Sequence, residues 1–189
     1  MMTYFHILHA AKNFKNLLLD IVFPRSERVE RVEEEKDIPL SLYMHAREYG
    51  GRSITALSLY ENSRVRDAVC ALKFERDTHS RELLAALLDE FLISHLSDAA
   101  LFGERVLLVP VPLGAKRLTE RGMNQVEEVL LATRAIKKRH AQLIGALVRA
   151  RETKPQSTLP RNERISNVRD AFAIAPACTR MLQGATILL

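Results

Sequence analysis

Hydrophobic residues along this chain recur first at helical and then at strand spacing, which predicts an ordered series of elements. Residues 4–23 have an apolar face at helical spacing and are followed by Pro24, which ends the predicted helix. That face carries Phe14, Leu17, Leu18 and Ile21. We expect this helix to dock on the domain or on a partner, with a membrane surface as the alternative. Residues 25–37 alternate in charge and are predicted to form a solvated helix or a linker.

The middle of the chain predicts a hairpin followed by two helices. Residues 40–44 and 53–60 have strand character, and a Tyr-Gly-Gly turn separates them. Asn62 or Ser63 then caps a helix whose apolar residues fall at i, i+3, i+4 and i+7. A second helix with a broad leucine-rich face is predicted over residues 80–96.

A near-continuous apolar strand over residues 106–111 is the centre of the predicted architecture. Such a strand is typical of a parallel sheet with both faces covered. It ends in two spaced prolines, and a basic loop follows that Arg121-Gly122 closes. Asn124 then begins an amphipathic helix that ends in three consecutive cations at residues 137–139. A strand, a loop and a helix in this order form the unit on which α/β proteins carry ligand sites.

The last part of the chain combines short apolar stretches with one long polar segment. Residues 143–148 and 184–189 are predicted strands, and residues 171–176 are extended. Between them, residues 149–170 are polar and rich in arginine and lysine. A segment of this length in a compact domain is usually either functional or disordered.

Composition places the chain among basic globular proteins. Its 189 residues are 47% hydrophobic and 27% charged, which favours one domain with a small appendage. The net charge of +5 suits phosphate-bearing ligands or nucleic acid. Cys70 and Cys178 have no metal-ligand or disulfide spacing, as expected of a cytoplasmic protein. No apolar run approaches the roughly 18 residues of a membrane span, and the N-terminus lacks the core of a signal peptide.

The basic loop is the strongest candidate site. It presents three cations and two glycines: Lys116, Arg117, Arg121, Gly114 and Gly122. Glycines allow backbone amides to approach a ligand, and the following helix directs its free amides towards the loop. This combination favours phosphate or pyrophosphate. The alternative is a surface loop with solvated arginines, in which Asn124 is only an N-cap with Glu127 at position N3.

Residues 149–169 form a second basic segment, which either closes over an anionic ligand as a lid or is a solvated charged loop. The histidines are scattered and no paired carboxylates bracket a site, so the residues predict no general acid or base. No catalytic residue is assigned from the sequence.

Several motifs, in this order, resemble the competence protein F (ComF) family, which belongs to the type I phosphoribosyltransferase-like proteins. They are Val109-Pro-Val-Pro112, Arg117, Arg121-Gly-Met-Asn-Gln125, Leu147-Val-Arg149, Thr153, Gln156, Leu159, Arg164, Asn167-Val168 and Phe172. Upstream, Tyr60-Glu61 and Ala71-Leu-Lys-Phe74 resemble the family's tyrosine-containing strand end and lysine-bearing helix. The resemblance covers about residues 55–189, and Met123 replaces the usual phenylalanine.

The resemblance implies an α/β fold, with a phosphoribosyltransferase-like twisted parallel sheet flanked by helices over residues 38–189. Residues 1–37 would be a helical and charged appendage. The loop after the central strand would hold the pyrophosphate of phosphoribosyl pyrophosphate (PRPP), normally with Mg²⁺. Lys116 and Arg117 would face the pyrophosphate, and Arg121, Asn124 and Gln125 would shape the loop. Gln156, Arg164 and Asn167 would belong to the flexible loop, and Lys73 is a further candidate.

Two departures from the family pattern change what is expected of this sequence. The helix Leu18-Leu-Asp-Ile-Val-Phe-Pro24 matches the family, but the four cysteines of the zinc ribbon that follows are absent, so no structural zinc is expected. The sequence also stops one residue before the family's Val-Asp-Asp-Val and Thr-Thr-Gly motif, which holds the ribose 5-phosphate. The expectation is an incomplete sheet with an exposed strand edge, weak PRPP binding and no efficient transfer.

Two other interpretations remain open. A non-catalytic DNA-uptake module would contact single-stranded DNA or a helicase-like partner through the basic loops. The aromatic content of 6%, without tryptophan, argues against binding by base stacking. The remaining possibility is a chain too incomplete to fold alone.

Overall fold

The structure, a computed structural model, describes residues 26–35, 45–49, 52–101 and 103–189. The helix predicted over residues 4–23 and the strand predicted over residues 40–44 lie outside these ranges. Within them the chain is mixed α/β, with a small three-stranded parallel sheet flanked by helices. The described helices include none that is both long and apolar enough to cross a bilayer.

The first described helix, α1 (Glu27–Glu33), belongs to the helical core. The Ser26 side chain caps it by accepting a hydrogen bond from the Val29 amide at 3.4 Å. Val29 and Val32 are buried against the next two helices, α2 (Ser63–Glu75) and α3 (Thr78–Leu101). The sequence left open a solvated helix or a linker. Two valines three residues apart create one apolar edge, and this edge holds the helix in the core.

A hairpin precedes α2, but the described strands differ in their bounds from the predicted ones, because the first covers residues 45–49 and the second ends at residue 56 instead of residue 60. Strands β1 (His45–Tyr49) and β2 (Arg52–Ala56) pair antiparallel, with Tyr49 opposite Arg52. Asn62 then caps α2, since its side chain accepts a hydrogen bond from the Arg64 amide at 3.0 Å. Helix α2 ends at a left-handed residue, Arg76, with φ of +56°.

The parallel sheet is centred on β3 (Arg105–Leu108), within the stretch predicted to be the central strand. Its neighbours, both parallel, are β4 (Gln142–Leu143) and β7 (Ala185–Leu188). Leu107 and Leu108 are each 1% exposed, so β3 is buried on both faces. In the described sheet β3 is the middle strand, and β4 and β7 form the two edges.

Three short helices follow β3, and two of their boundaries differ from the expected ones. The basic segment is a helix, α4 (Ala115–Arg121), because its residues are strong helix formers and Gly122, with φ of +71°, ends it. The helix after Asn124 is divided into α5 (Gln125–Ala132) and α6 (Arg134–Lys137). Thr133 divides them because its backbone is extended and its hydroxyl caps α6 through the Ile136 amide at 3.4 Å.

The polar segment, residues 149–170, connects two strands that pair antiparallel, β5 (Leu147–Arg149) and β6 (Phe172–Ile174). Between these strands lie a 3₁₀ turn and the helix α7 (Arg161–Val168). The strand predicted over residues 143–148 is therefore divided between β4 and β5. The short helix α8 (Thr179–Leu182) leads from the hairpin to β7.

Candidate functional site

The candidate site begins at the carboxyl end of β3, where residues 109–114 form the β3–α4 loop. Val109 and Pro110 are buried, and the Val109 amide donates a hydrogen bond to the Leu188 carbonyl at 2.8 Å. The loop therefore leaves the sheet beside the end of β7. Open parallel sheets bind their ligands at the carboxyl ends of their strands, so the loop occupies the position where a ligand site is expected.

Asn124 fixes the far side of this loop. Its Nδ2 donates a hydrogen bond to the Val111 carbonyl at 3.1 Å, across 13 residues of sequence. Its Oδ1 accepts a hydrogen bond from the Val126 amide at 3.2 Å and so caps α5. Only 9% of Asn124 is exposed. The sequence offered either a loop-shaping residue or an N-cap, and one buried side chain has both roles.

A carboxylate already contacts the backbone at the end of the β3–α4 loop. Glu152 Oε1 accepts a hydrogen bond from the Ala115 amide at 3.0 Å. A Cβ at Gly114 would collide with this carboxylate, so the glycine is what permits the close approach. The sequence did not indicate Glu152, because it lies 37 residues from Ala115 and its charge is opposite to that of the predicted anion-binding cations.

The predicted cations of this segment have different environments. Lys116 is exposed, whereas Arg117 is half-buried. Arg117 Nη2 is buried and has no hydrogen-bond partner among the described residues. Arg121 Nη1 donates a hydrogen bond to Gln125 Oε1 at 3.1 Å, which joins the end of α4 to the start of α5. Of these three predicted cations, Arg117 is the one whose buried donor has no hydrogen-bond partner among the described residues.

Two further arginines, which the sequence did not assign to the site, contact it. The Arg76 guanidinium packs where a Cβ at Gly122 would lie, so the end of α2 contacts the turn after α4. Arg149 Nη1 donates a hydrogen bond to the Pro112 carbonyl at 3.4 Å, and its Nη2 bonds Thr153 Oγ1. Arg149 belongs to the motif Leu147-Val-Arg149 of the family resemblance, and this motif could have indicated its place in the site. Arg76 lacks such a signal because its contact depends on how α2 packs.

The Arg149 side chain is also held from the hairpin side. Its guanidinium carbon lies 5.2 Å from the centre of the Phe172 ring on β6, within the range of a cation–π contact. Arg149 Nε is buried and has no hydrogen-bond partner in the described ranges. The base of the β5–β6 hairpin is thus attached to the β3–α4 loop through one side chain.

The three residues predicted for a flexible loop bond the backbone of their own hairpin. Asn167 Nδ2 donates to the Lys154 carbonyl at 3.0 Å, and its Oδ1 accepts from the Lys154 amide at 3.2 Å. Gln156 Nε2 donates to the Arg164 carbonyl at 3.1 Å. Arg164 Nε donates to the Leu159 carbonyl, also at 3.1 Å. These bonds hold the hairpin together, and a role in contacting a ligand stays a prediction.

Replacing Asn167 with alanine is expected to open the hairpin locally. The change removes both bonds to Lys154, and because they are exposed we expect a global loss of stability below about 1 kcal/mol. Hydrogen exchange at the Lys154 amide should become faster. Asn162→Ala on the same exposed helix is the matched control and should leave that amide unchanged. Equal exchange in the wild type and Asn167→Ala would contradict this role.

Lys73 lies in a different environment from the cations of α4. Its Nζ is 4.7 Å from the centre of the Phe74 ring. Together with Gln125 it lines a mainly apolar groove of about 340 Å³ between α2, α3 and α5. Gln125 Nε2 is buried without a hydrogen-bond partner in the part of the chain that the structure describes.

Tyr60, which belongs to one of the motifs of the family resemblance, contacts Cys70 on α2. The Tyr60 hydroxyl lies 3.5 Å from Cys70 Sγ, and this hydrogen bond raises the pKa of the tyrosine above its usual value. Both Cys70 and Cys178 are half-buried free thiols. Over the described residues, no three or more histidine, cysteine, aspartate or glutamate side chains are grouped so that they would hold a metal ion.

The chain has no significant match among protein-family models, curated proteins or solved structures.

Proposed function

We propose that the chain binds PRPP through the β3–α4 loop and the first turn of α4, as a phosphoribosyltransferase-like protein. The observation that carries this proposal is the Glu152 carboxylate on the Ala115 amide, beside Gly114. A backbone that accommodates a carboxylate oxygen at 3.0 Å has an exposed donor and the space that a phosphate oxygen needs.

The surrounding cations support the same ligand class. Lys116 is exposed and Arg117 has a buried nitrogen without a partner among the described residues. Among the described residues neither side chain forms a salt bridge. A pyrophosphate group on the loop would satisfy Arg117 Nη2 and would neutralise charge at the same time.

The reaction that this proposal implies is substitution at the ribose C1. An amine or base nitrogen forms the new bond to C1, and the C1–oxygen bond breaks with its electron pair leaving on pyrophosphate. The nitrogen releases a proton to solvent. Lys116 and Arg117 would stabilise the negative charge that develops on the leaving group, which needs fixed cations more than a general base. The family resemblance is the source of this reaction type.

Magnesium, which the resemblance implies, does not fit a site made by the protein. The described residues at the loop offer cations and backbone amides, and the nearby carboxylate, Glu152, already bonds the Ala115 amide. Mg²⁺ prefers several oxygen ligands in near-octahedral geometry. It would therefore accompany PRPP on the ligand's own oxygens, and the residues of this chain would bind the diphosphate.

Calorimetric titration with magnesium–PRPP and magnesium–pyrophosphate tests the proposal. Arg117→Ala is expected to weaken binding about tenfold, because a buried charge-assisted hydrogen bond contributes about 1.4 kcal/mol. Glu152→Gln is expected to strengthen it several-fold, because the substitution removes a competing negative charge while it keeps an acceptor for Ala115.

Lys137→Ala is the matched control, because Lys137 is an exposed cation on α6 and should not affect the titration. A wild-type chain that binds neither ligand at millimolar concentration would exclude the proposal. Weaker binding by Glu152→Gln would show that the carboxylate assists the ligand instead of competing with it.

The exposed cations of the hairpin favour the second candidate, a DNA-uptake module. Lys154 and Arg161 are exposed, and neither forms an ion pair with another described residue. Single-stranded DNA bound in this way would lose affinity steeply as salt rises. A titration with an oligonucleotide at low salt distinguishes the candidates, because Lys154→Ala would affect DNA binding and would leave pyrophosphate binding unchanged.

A further inference from the structure

The groove between α2, α3 and α5 is lined by about one turn of each helix. The lining residues of a helix stand at positions i, i+3 and i+4, which share one face. Helix α2 provides Val69, Leu72 and Lys73, and α5 provides Val126, Val129 and Leu130. Leucines of α3 complete the lining. The groove therefore extends over roughly 6 Å of each helix, since a helix rises about 1.5 Å per residue.

This aliphatic lining is open to solvent and has the size of a small-molecule site. Val126 is 48% exposed, and Val69 and Leu84 are half-buried. The volume of the groove is about 340 Å³. Pockets for small ligands measure about 300 to 1,000 Å³ and combine apolar walls with a few polar groups that orient the ligand. A compact ligand with an aliphatic body matches this groove.

The polar groups of the groove, Lys73 and Gln125, both offer hydrogen-bond donors. Lys73 is half-buried, its Nζ lies 4.7 Å from the centre of the Phe74 ring, and it forms no salt bridge with another described residue. Gln125 Oε1 accepts a hydrogen bond from Arg121, which can only donate, so Nε2 is the donor end of the amide. This Nε2 is buried and has no acceptor among the described residues. A ligand of the groove therefore has to bring acceptor oxygens.

The charge of the groove selects a singly charged anion. Lys73 is the one ionisable side chain in its described lining, so one negative charge is balanced there. A phosphate dianion would leave a second charge uncompensated against aliphatic walls, which is unfavourable. We propose that the groove binds a small monocarboxylate with an aliphatic body, whose carboxylate pairs with Lys73. Binding in the groove does not require phosphate binding at the β3–α4 loop.

Calorimetric titration of the whole 189-residue chain with octanoate, 1-octanol and butanoate tests the proposal. Lys73→Met is expected to weaken octanoate binding roughly tenfold, because it removes the charge and keeps the apolar stem of the side chain. The affinity for 1-octanol should stay within about twofold, since the alcohol has no charge to pair. Butanoate should bind the wild type at least roughly tenfold more weakly than octanoate, because it buries fewer methylene groups.

Lys137→Met is the matched control for Lys73→Met. Lys137 is an exposed cation on α6, away from the groove lining, and its loss should leave octanoate binding unchanged. Equal weakening by the two substitutions would show that only the net charge of the protein matters, and it would overturn the proposal. Binding of octanoate that is insensitive to Lys73→Met would overturn it as well.

A second pair of variants locates the ligand. Val126→Asp places a negative charge at the groove and is expected to weaken octanoate binding roughly tenfold or more. Leu131→Asp adds the same charge on the same helix at a similarly exposed residue outside the groove lining, and it should leave the affinity within about twofold. Equal urea unfolding midpoints of these variants and the wild type would show that they stay folded.

The remaining outcomes contradict a carboxylate site. Octanoate binding that survives Val126→Asp would place the ligand elsewhere on the protein. A wild-type chain that binds no octanoate at millimolar concentration would leave the groove to a macromolecular partner.

Discussion

Replacing Asp89 with alanine is expected to lower the free energy of unfolding by about 3 kcal/mol. Asp89 is 3% exposed, and its two carboxylate oxygens accept hydrogen bonds from the Arg134 amide at 2.9 Å each. Oδ1 also accepts from the Ala135 amide at 3.3 Å, and the Arg134 Nε lies 3.5 Å from Oδ2. One side chain on α3 thus binds the start of α6, and alanine would leave those amides buried without an acceptor.

Urea unfolding monitored by circular dichroism measures this loss. Glu90→Ala is the matched control, because Glu90 is the exposed neighbour on the same helix and should change stability by less than about 0.5 kcal/mol. The stability of Asp89→Asn should fall between those of Asp89→Ala and Glu90→Ala. Asparagine keeps one acceptor oxygen for the backbone amides at the start of α6, but it replaces the second acceptor with an NH₂ donor. An Asp89→Ala protein as stable as Glu90→Ala would show that the start of α6 is held by other contacts.

Replacing Asn124 with alanine is expected to cost about 2 kcal/mol of stability and to weaken pyrophosphate binding. The substitution removes the cap of α5 and the bond to the Val111 carbonyl, both from a buried side chain. About half of the loss should come from each bond. The β3–α4 loop would then no longer be held in one conformation, so the binding of an anion would require ordering it first.

Asn124→Asp separates the two contributions. Aspartate keeps the acceptor for the Val126 amide but has no donor for the Val111 carbonyl. Its stability should lie midway between the wild type and Asn124→Ala, while its pyrophosphate affinity should fall at least as far as that of the alanine variant, because a negative charge is added. Equal stability of the aspartate and wild-type proteins would show that the bond to Val111 contributes nothing.

Elements whose signals are local in sequence were predicted well. The helix cap predicted at Asn62 or Ser63 lies at Asn62. The helix after it, predicted from apolar residues at regular spacing, is confirmed as α2. The apolar stretch containing Val106–Leu108 was expected to be the central parallel strand, and β3 has that position. In each case the residues that determine the element lie within one or two turns or along one strand, so the pattern is readable without the fold.

Boundaries that depend on competing local preferences were predicted less well. The loop expected between Pro112 and Gly122 contains α4, because helix propensity in residues 115–121 exceeds the tendency of the flanking residues to form a turn. A single helix was expected through Thr133, but the Asp89 carboxylate at the Arg134 amide stabilises a new helix start there. That carboxylate comes from 45 residues earlier, which no periodic pattern indicates.

The sequence by itself determined the two helices α2 and α3, the strand with its two prolines, and the cations and Asn124 that follow it. These features depend on residue type and spacing within short stretches. The tertiary structure alone decided that Glu152 contacts the Ala115 amide, that Arg149 reaches the Pro112 carbonyl, and that α1 belongs to the core. Contacts of this kind join residues far apart in sequence, and their energies depend on burial and on the packing of whole elements, which spacing along the chain does not encode.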